Sequence, residues 1–402
     1  MSLRSMWMSL ALLCASMSAA ESPQIPILAW IGIPAEHTSP ERYEEMAAAG
    51  FTIAFQGYPN LDALMEALDV AEAAGVQLIA GCPELRSDTA TTVERMRHHP
   101  ALYGYVLRDE PGAELFPMLA EWVEAIQAVD DTRWAYINLF PNYASAEQLG
   151  TETYREHVRL FLETVPQKIL SFDHYPVVET ADGILLRSQY YENLRIIREE
   201  ALRAGVPFWA FALSVAHVPY PVPEETHLRV QQFSNLLYGA QGLQYFTYWT
   251  PTPTEAWNFN TAPIERDGTR TVVYDRVKAV TSYLQGFAAV FIDATVEQVG
   301  HMGASIPPGA EAFEPGSGIV AVDSRDSPIV VSHLRKGERA FLAILNPSLE
   351  ESIEVGVTLD EGLQASRFLP ADSSNAAFEN GSPIAIEPAD VLVLEWIPST
   401  SR

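Results

Sequence analysis

Between residues 27 and 286 the chain alternates two textures. Short runs almost continuous in apolar residues begin at Ile27 (ILAWIGI), Phe51 (FTIAFQG), Val76 (VQLIAGC) and Leu102 (LYGYVLRD). Four more begin at Arg133 (RWAYINLF), Lys168 (KILSFDHY), Val206 (VPFWAFAL) and Gly242 (GLQYFTYW). Runs of this length without polar alternation predict strands buried on both faces, as in a parallel sheet covered by helices. Helical periodicity fills the gaps. Leu115, Leu119, Trp122, Ile126 and Val129 recur at steps of three and four, which predicts one apolar stripe along a helix. The stretch SPERYEEMAAAG opens with a Ser cap before a Pro at the first helical position and closes on Gly50, the chemistry of a helix start and stop. Strand starts fall 24 to 38 residues apart. Eight such units with right-handed crossovers predict a closed (β/α)8 barrel. An open doubly wound sheet would carry a glycine-rich phosphate loop after its first strand, and WIGIPAEH has none.

After Phe287 the texture changes. GIVAVDS, PIVVSHL, AFLAILNP, SIEVGVTL and VLVLEWI are short alternating segments divided by Gly, Pro, Asn, Asp and Ser, which predicts an antiparallel β-sandwich. The first twenty residues stand apart: a basic start at Arg4, the apolar MWMSLALLCASM, and small residues before Glu21. That is the pattern of a secretory signal peptide. Leu13 occupies the place where a lipobox wants a small residue before Cys14, which argues against a lipid anchor. The fold class expected is therefore α/β, a TIM barrel followed by a small antiparallel β-sandwich. Residues 1–20 are the signal peptide, 21–288 the barrel and 289–402 the sandwich, in a secreted or periplasmic protein.

Cleavage would leave Cys82 as the one cysteine, best read as a core thiol. It would also remove the single charge of Arg4, leaving the chain still more acidic than its formal charge of -27. Such a chain repels nucleic acid and anionic membrane surfaces, so neither is expected as a partner. A neutral substrate meets no such barrier. No oligomeric state is readable.

In barrels the reacting groups lie on the loops after the C-terminal strand ends. Those ends carry Trp30, Glu36 and His37; Gln56 and Tyr58; Glu84; Arg108, Asp109 and Glu110; Asn138 and Asn142; Asp173, His174 and Tyr175; Ser214 and His217; and Tyr248, Trp249, Glu255 and Trp257. Carboxylates, amides and aromatic rings together suit a carbohydrate, which offers apolar ring faces for stacking and hydroxyls for hydrogen bonding. Cleaving a glycosidic bond needs two carboxyl groups flanking it, one of them protonated near neutral pH. Adjacent residues on a strand face opposite sides, so one of Asp109 and Glu110 is expected in the pocket and the other outside it. Competing chemistries lack their marks. The nine His are scattered with no HxH on the first strand, there is no GxSxG elbow, and neither a metal nor a cofactor is expected.

The eight-unit barrel, the secretory start and RDEP at the end of strand four resemble the large clan of barrel glycoside hydrolases. In character the chain is nearest to the family-42-type, β-galactosidase-like barrels. Many of that clan carry Asn-Glu-Pro there, with the Glu as acid/base and the Asn on a sugar hydroxyl. The resemblance implies Glu110 as acid/base and Asp109 in place of the Asn. It also implies a nucleophilic Glu at the end of strand seven, and FWAFALSVAH has none. Glu224 and Glu225 follow, but PEETHLRV reads as acids at a helix start. Asp173, ending the apolar strand six, is the better second carboxylate. Plainer roles stand beside these: Glu110 as a partner for the next helix start, Asp173 as a holder of His174, and Trp209 as core. Substrate contacts are expected from Asp109, Trp30, Tyr58, Asn138, His174, Tyr175, His217, Tyr248, Trp249 and Trp257. The alternative to a hydrolase is a non-catalytic carbohydrate-binding barrel without its strand-seven nucleophile.

Overall fold

Each of the eight apolar runs forms one strand of a closed parallel barrel in a computed structural model that describes residues 23–398. The expected signal peptide lies outside the described residues. In chain order the strands are β1 (Ile27–Trp30), β2 (Ile53–Gly57), β3 (Gln77–Gly81), β4 (Leu102–Asp109), β5 (Trp134–Leu139) and β6 (Leu170–Phe172). A two-stranded hairpin follows, β7 (Val177–Thr180) and β8 (Gly183–Leu186), before β9 (Phe208–Leu213) and β10 (Gly242–Phe246) close the ring against β1. The hairpin was not read from the sequence, because Gly183 to Leu186 is exposed and carries no burial pattern.

The barrel strands are buried on both sides, which explains their unbroken apolar texture. Leu28, Ile53, Ile79, Trp209 and Phe211 fill the interior, while Ile27, Ala54, Leu78, Leu170 and Leu243 face the ring of helices. The helix Pro40–Ala48 begins as its sequence implies: the Ser39 side chain accepts from the Arg42 N–H, and Pro40 follows at the first position. Gly50, two residues past its end, takes φ +91°, where a side chain would be strained. In the helix Phe116–Gln127, Phe116, Leu119, Val123 and Ile126 face inward.

Residue 288, where the texture changes, opens a short helix, Ala288–Phe291. Beyond it run β11 (Thr295–Met302), β12 (Ile319–Asp323), β13 (Ile329–Lys336), β14 (Arg339–Leu345), β15 (Ile353–Leu359), β16 (Ala365–Leu369), β17 (Ser374–Ala377), β18 (Pro383–Ile386) and β19 (Val391–Trp396). They form a six-stranded sheet, β11-β13-β14-β19-β16-β17, and a three-stranded one, β12-β15-β18, antiparallel throughout. The large sheet lies between two cores. Val330, Leu334, Phe341, Ala343 and Val393 join the barrel's outer core, whereas Ile329, Val331, Leu342, Ile344 and Leu394 meet Val355 and Val357 of the small sheet. β13 and β14 are thus covered on both faces, not on one as alternation implied.

Candidate active site

The two carboxylates at the end of β4 sit on a break in the strand's alternation. Tyr105 and Val106 pair with Ala135 and Tyr136, but Arg108 and Asp109 pair with Ile137 and Asn138, so Leu107 is an extra residue. A bulge of this kind exchanges the faces of the residues that follow it. Regular alternation from the inward Val106 would send Asp109 outside. Instead Asp109 turns in beside Asn138, and the next residue, Glu110, takes φ +43° and brings its side chain into the same pocket. The expectation that only one of the pair serves the pocket is therefore corrected: both line it. The left-handed backbone of Glu110 costs on the order of 1 kcal/mol for a residue with a Cβ. Its N–H is held by the Asn138 carbonyl at 2.8 Å.

The pocket occupies about 330 Å³ at the C-terminal mouth of the barrel, within the range of small-ligand sites. Asp173, one residue past β6, supplies a third carboxylate. The Asn138 amide nitrogen donates to both Asp109 Oδ1 (3.2 Å) and Asp173 Oδ1 (3.0 Å), while Glu110 and Asp173 line the same pocket and each acts on the other's titration. Among the described residues no Lys or Arg lines the space. Burial, followed by repulsion from Asp109, raises the Glu110 carboxyl to about 7. Asp109 reaches the solvent of the pocket yet lies deep among protein atoms, and burial raises it to about 6 against the pull of the Asn138 amide. Asp173 is pushed well up by burial and by the charges of Glu110 and Asp109. Nearby carboxyls cannot both ionise cheaply, which is why the charge of one adds to the upward push of burial on another.

Aromatic rings make the walls. Trp30, stacked on Phe55 at 3.7 Å, lines the pocket together with Tyr175 and Phe246, whose rings lie 5.7 Å apart. His217 lies among the rings of Tyr220, Phe259 and Trp257 at 4.6, 4.6 and 5.4 Å. Burial lowers its imidazole to about 4, so near neutral pH it is an uncharged group able both to donate and to accept. Trp257 keeps 46% of its surface exposed at the mouth.

Of the residues expected at the site, Glu110, Asp173, Asp109, Trp30, Asn138, Tyr175, His217 and Trp257 line this one pocket. Four do not. Tyr58 is buried against the helix layer, hydroxyl to hydroxyl with Tyr43 at 2.9 Å. His174 turns to Asn193 Oδ1 at 3.0 Å, and burial holds it down to about 3. Beyond β10 the chain runs alongside β1, with the N–H groups of Tyr248 and Trp249 on the Trp30 and Ile31 carbonyls. That path packs Tyr248 against Phe51 and places Trp249 beside His37 and Arg42. Glu224 is a helix cap in an ion pair with Arg276 at 2.6 Å. Tyr143, Tyr220, Phe246 and Phe259 also line the pocket and were not singled out from the sequence. Phe246 ends β10 facing inward, which counting strand ends in pairs would have flagged. Tyr143, Tyr220 and Phe259 sit in loops, where nothing local tells inward from outward.

Among the described residues no group of three or more His, Cys, Asp or Glu could hold a metal ion, and no helix is long and apolar enough to cross a membrane. No protein-family model and no curated protein matches the chain. Solved structures do. A β-galactosidase from Bacillus circulans sp. alkalophilus superposes with a TM-score of 0.64 at 10% identity, over 93% of this chain and 99% of that one. A catalytic mutant of a family-42 β-galactosidase from G. stearothermophilus gives 0.61 at 8% identity, over 94% and 99%. A structure described as a glycoside hydrolase gives 0.58 at 13% identity, over 95% and 94%. At such identities the likeness establishes the barrel-plus-sandwich fold, as the sequence resemblance implied, and leaves the chemistry to the site itself.

Proposed function

We propose that the chain is a glycoside hydrolase, secreted through the expected signal peptide, that cleaves O-glycosidic bonds of an oligo- or polysaccharide. The observation that carries this reading is the pair Glu110 and Asp173 in one aromatic-walled pocket at the barrel mouth, where among the described residues no Lys or Arg lines the space. Glu110, raised to about 7, keeps a proton available near neutral pH for the glycosidic oxygen as the bond from the anomeric carbon breaks. Asp173 is the carboxylate that meets the cationic ring as a covalent partner, and a carboxyl separation measured at ~5 Å, as in retaining enzymes, is the outcome that supports that role. Water then takes the leaving group's place, returning its proton to Glu110 and releasing Asp173. Asp109, Asn138, Trp30, Tyr175, His217 and Trp257 contact the sugar, the amide and imidazole through its hydroxyls and the rings through its apolar faces. The fold shared with named glycoside hydrolases supports the assignment.

A second reading is favoured by β9, whose end at Leu213 and Ser214 brings no carboxylate to the pocket. On that reading the barrel binds glycans without turning them over. Residues 21–402 assayed against a broad panel of oligosaccharides and aryl glycosides separate the two. Hydrolysis with the product released in the substrate's anomeric configuration supports the proposal. Saturable binding with no turnover on any member transfers the site to the binding reading.

A further inference from the structure

Beneath the carboxylates a buried polar set stands among the largely apolar side chains of the barrel interior. Tyr136, Ser171 and Gln244 have no solvent exposure at all. The register brings them together: Ser171 is the neighbour of Asn138 across β5 and β6, Tyr136 lies one inward position below Asn138, and Gln244 enters from β10 beside Phe211. Ser171 Oγ accepts from Gln244 Nε2 at 2.9 Å and donates to Asn138 Oδ1 at 2.9 Å. The Tyr136 hydroxyl touches Ser171 Oγ at 2.7 Å and donates to Gln244 Oε1.

Donor counting orients this set. The Tyr136 hydroxyl fixes the oxygen end of the Gln244 amide, so its nitrogen end faces Ser171. Gln244 donates to the serine, whose single hydrogen points to Asn138 Oδ1, so the 2.7 Å approach of the Tyr136 and Ser171 oxygens has no hydrogen of its own. An asparagine held by its oxygen must present its nitrogen on the opposite side, and there it meets Asp109 and Asp173. The flipped amide would aim an oxygen at both acids. Aliphatic side chains would fill this space without the risk of an unpaired buried group, which costs about 1–3 kcal/mol. We propose that Ser171, backed by Gln244 and Tyr136, is a positioning residue that locks the Asn138 amide with its nitrogen on the two aspartates. The proposal rests on the reading that Asp173 acts in its ionised form beside Glu110.

A hydrogen bond to the charged form of a carboxyl lowers its pKa, so freeing the amide raises that of Asp173. The groups around Asp173 are otherwise unchanged by the substitution: Glu110 and Asp109 from β4, Tyr136 below, Tyr143 and Tyr154 from beyond β5, and its neighbours His174 and Tyr175. His217 and Tyr220 lie across the pocket, Arg108 acts on Asp109, and Arg187 stands behind Tyr143.

Two readouts test this on the full mature chain: carbon-13 titration of the side-chain carboxyls, with the Asp173 signal assigned by its loss in Asp173→Asn, and the pH profile of hydrolysis. Ser171→Ala is expected to move the Asp173 titration, and the acid limb of the profile with it, upward by about one pH unit. Ser171→Thr, which keeps the hydroxyl, is expected to restore both. An unshifted titration in folded Ser171→Ala, or a folded Ser171→Thr that behaves like it, overturns the positioning role. If Ser171→Ala does not fold, Tyr136→Phe replaces it; a shift in the same direction supports the relay and none overturns it. Because the titration needs no substrate, a chain that hydrolyses nothing defeats the hydrolase reading while the titration still decides the role of Ser171.

Discussion

Two acids in this chain, Glu200 buried and Glu110 half-buried, have opposite surroundings. Glu200, on the helix Tyr190–Ala204, meets Arg155 at 3.0 Å, Arg159 at 2.7 Å and Arg203 at 2.7 Å. Burial would raise its carboxyl, but hydrogen bonds from Arg159, Arg203 and Arg155 outweigh it and hold the group at about 2. Glu110 lies beside Asp109 and Asp173, with no Lys or Arg among the described residues of the pocket lining, and rises to about 7. The first arrangement ties two helices of the outer ring together. The second weakens the fold locally, through a strained backbone and crowded acids, and gains a proton poised near neutral pH. Environment separates the acid that holds structure from the acid that is fit to react.

The sharpest break between them lies in activity. Glu110→Gln and Asp173→Asn are each expected to lower kcat/KM by at least ~10²-fold, the help a general acid or its partner supplies. Glu200→Gln is expected to leave kcat/KM near wild type at a temperature where it stays folded. Equal losses in all three would dissolve the distinction.

Stability should show the reverse order. Glu200→Ala removes the carboxylate that three arginines share, although Arg155 keeps Glu199 and Arg203 keeps Glu163, and is expected to cost about 1–2 kcal/mol in chemical unfolding at pH 7. Its folded pKa lies below the ordinary 4.5, so the contribution of Glu200 is present above about 4.5 and fades as the pH falls toward 2. The wild type and Glu200→Ala stability curves should therefore converge in acid.

Glu110 carries the opposite sign. Its folded pKa lies above 4.5, so it leaves stability intact in acid and removes stability as the pH climbs toward 7. Glu110→Gln is expected to unfold roughly 1–2 kcal/mol harder than wild type at pH 8, with the gain gone by about pH 4.5. A destabilised Glu110→Gln at pH 8 would mean that the carboxylate is paired after all.

The smallest effect tests the crowding itself. The charge of Asp109 helps to raise Glu110. Asp109→Asn should thus shift the alkaline limb of the pH profile down by about half a pH unit. An upward or absent shift would show that Asp109 acts on Glu110 only through contact.

Much of this molecule was determined by its sequence alone. The eight apolar runs marked the eight barrel strands because a strand covered on both faces has nowhere to place polar side chains. Capping at Ser39 and the stop at Gly50 are local chemistry and needed no tertiary information. Strand ends put Glu110, Asn138 and Asp173 at the mouth, since the fold places its loops there. What the chain could not declare depends on contacts between distant segments. The extra residue Leu107 exists only relative to its partner β5, and it decided that Asp109 and Glu110 face one pocket. Tyr248 and Trp249 look like site aromatics by position, yet hydrogen bonding along β1 carries them into the layer outside the barrel. Glu110 and Glu200 are the same residue type in the sequence. Three arginines, two from a neighbouring helix and one from its own, or two aspartates, one adjacent in the chain and one from the end of β6, made one a strong acid and the other a weak one, because a shielded charge takes its energy from whatever the fold sets beside it.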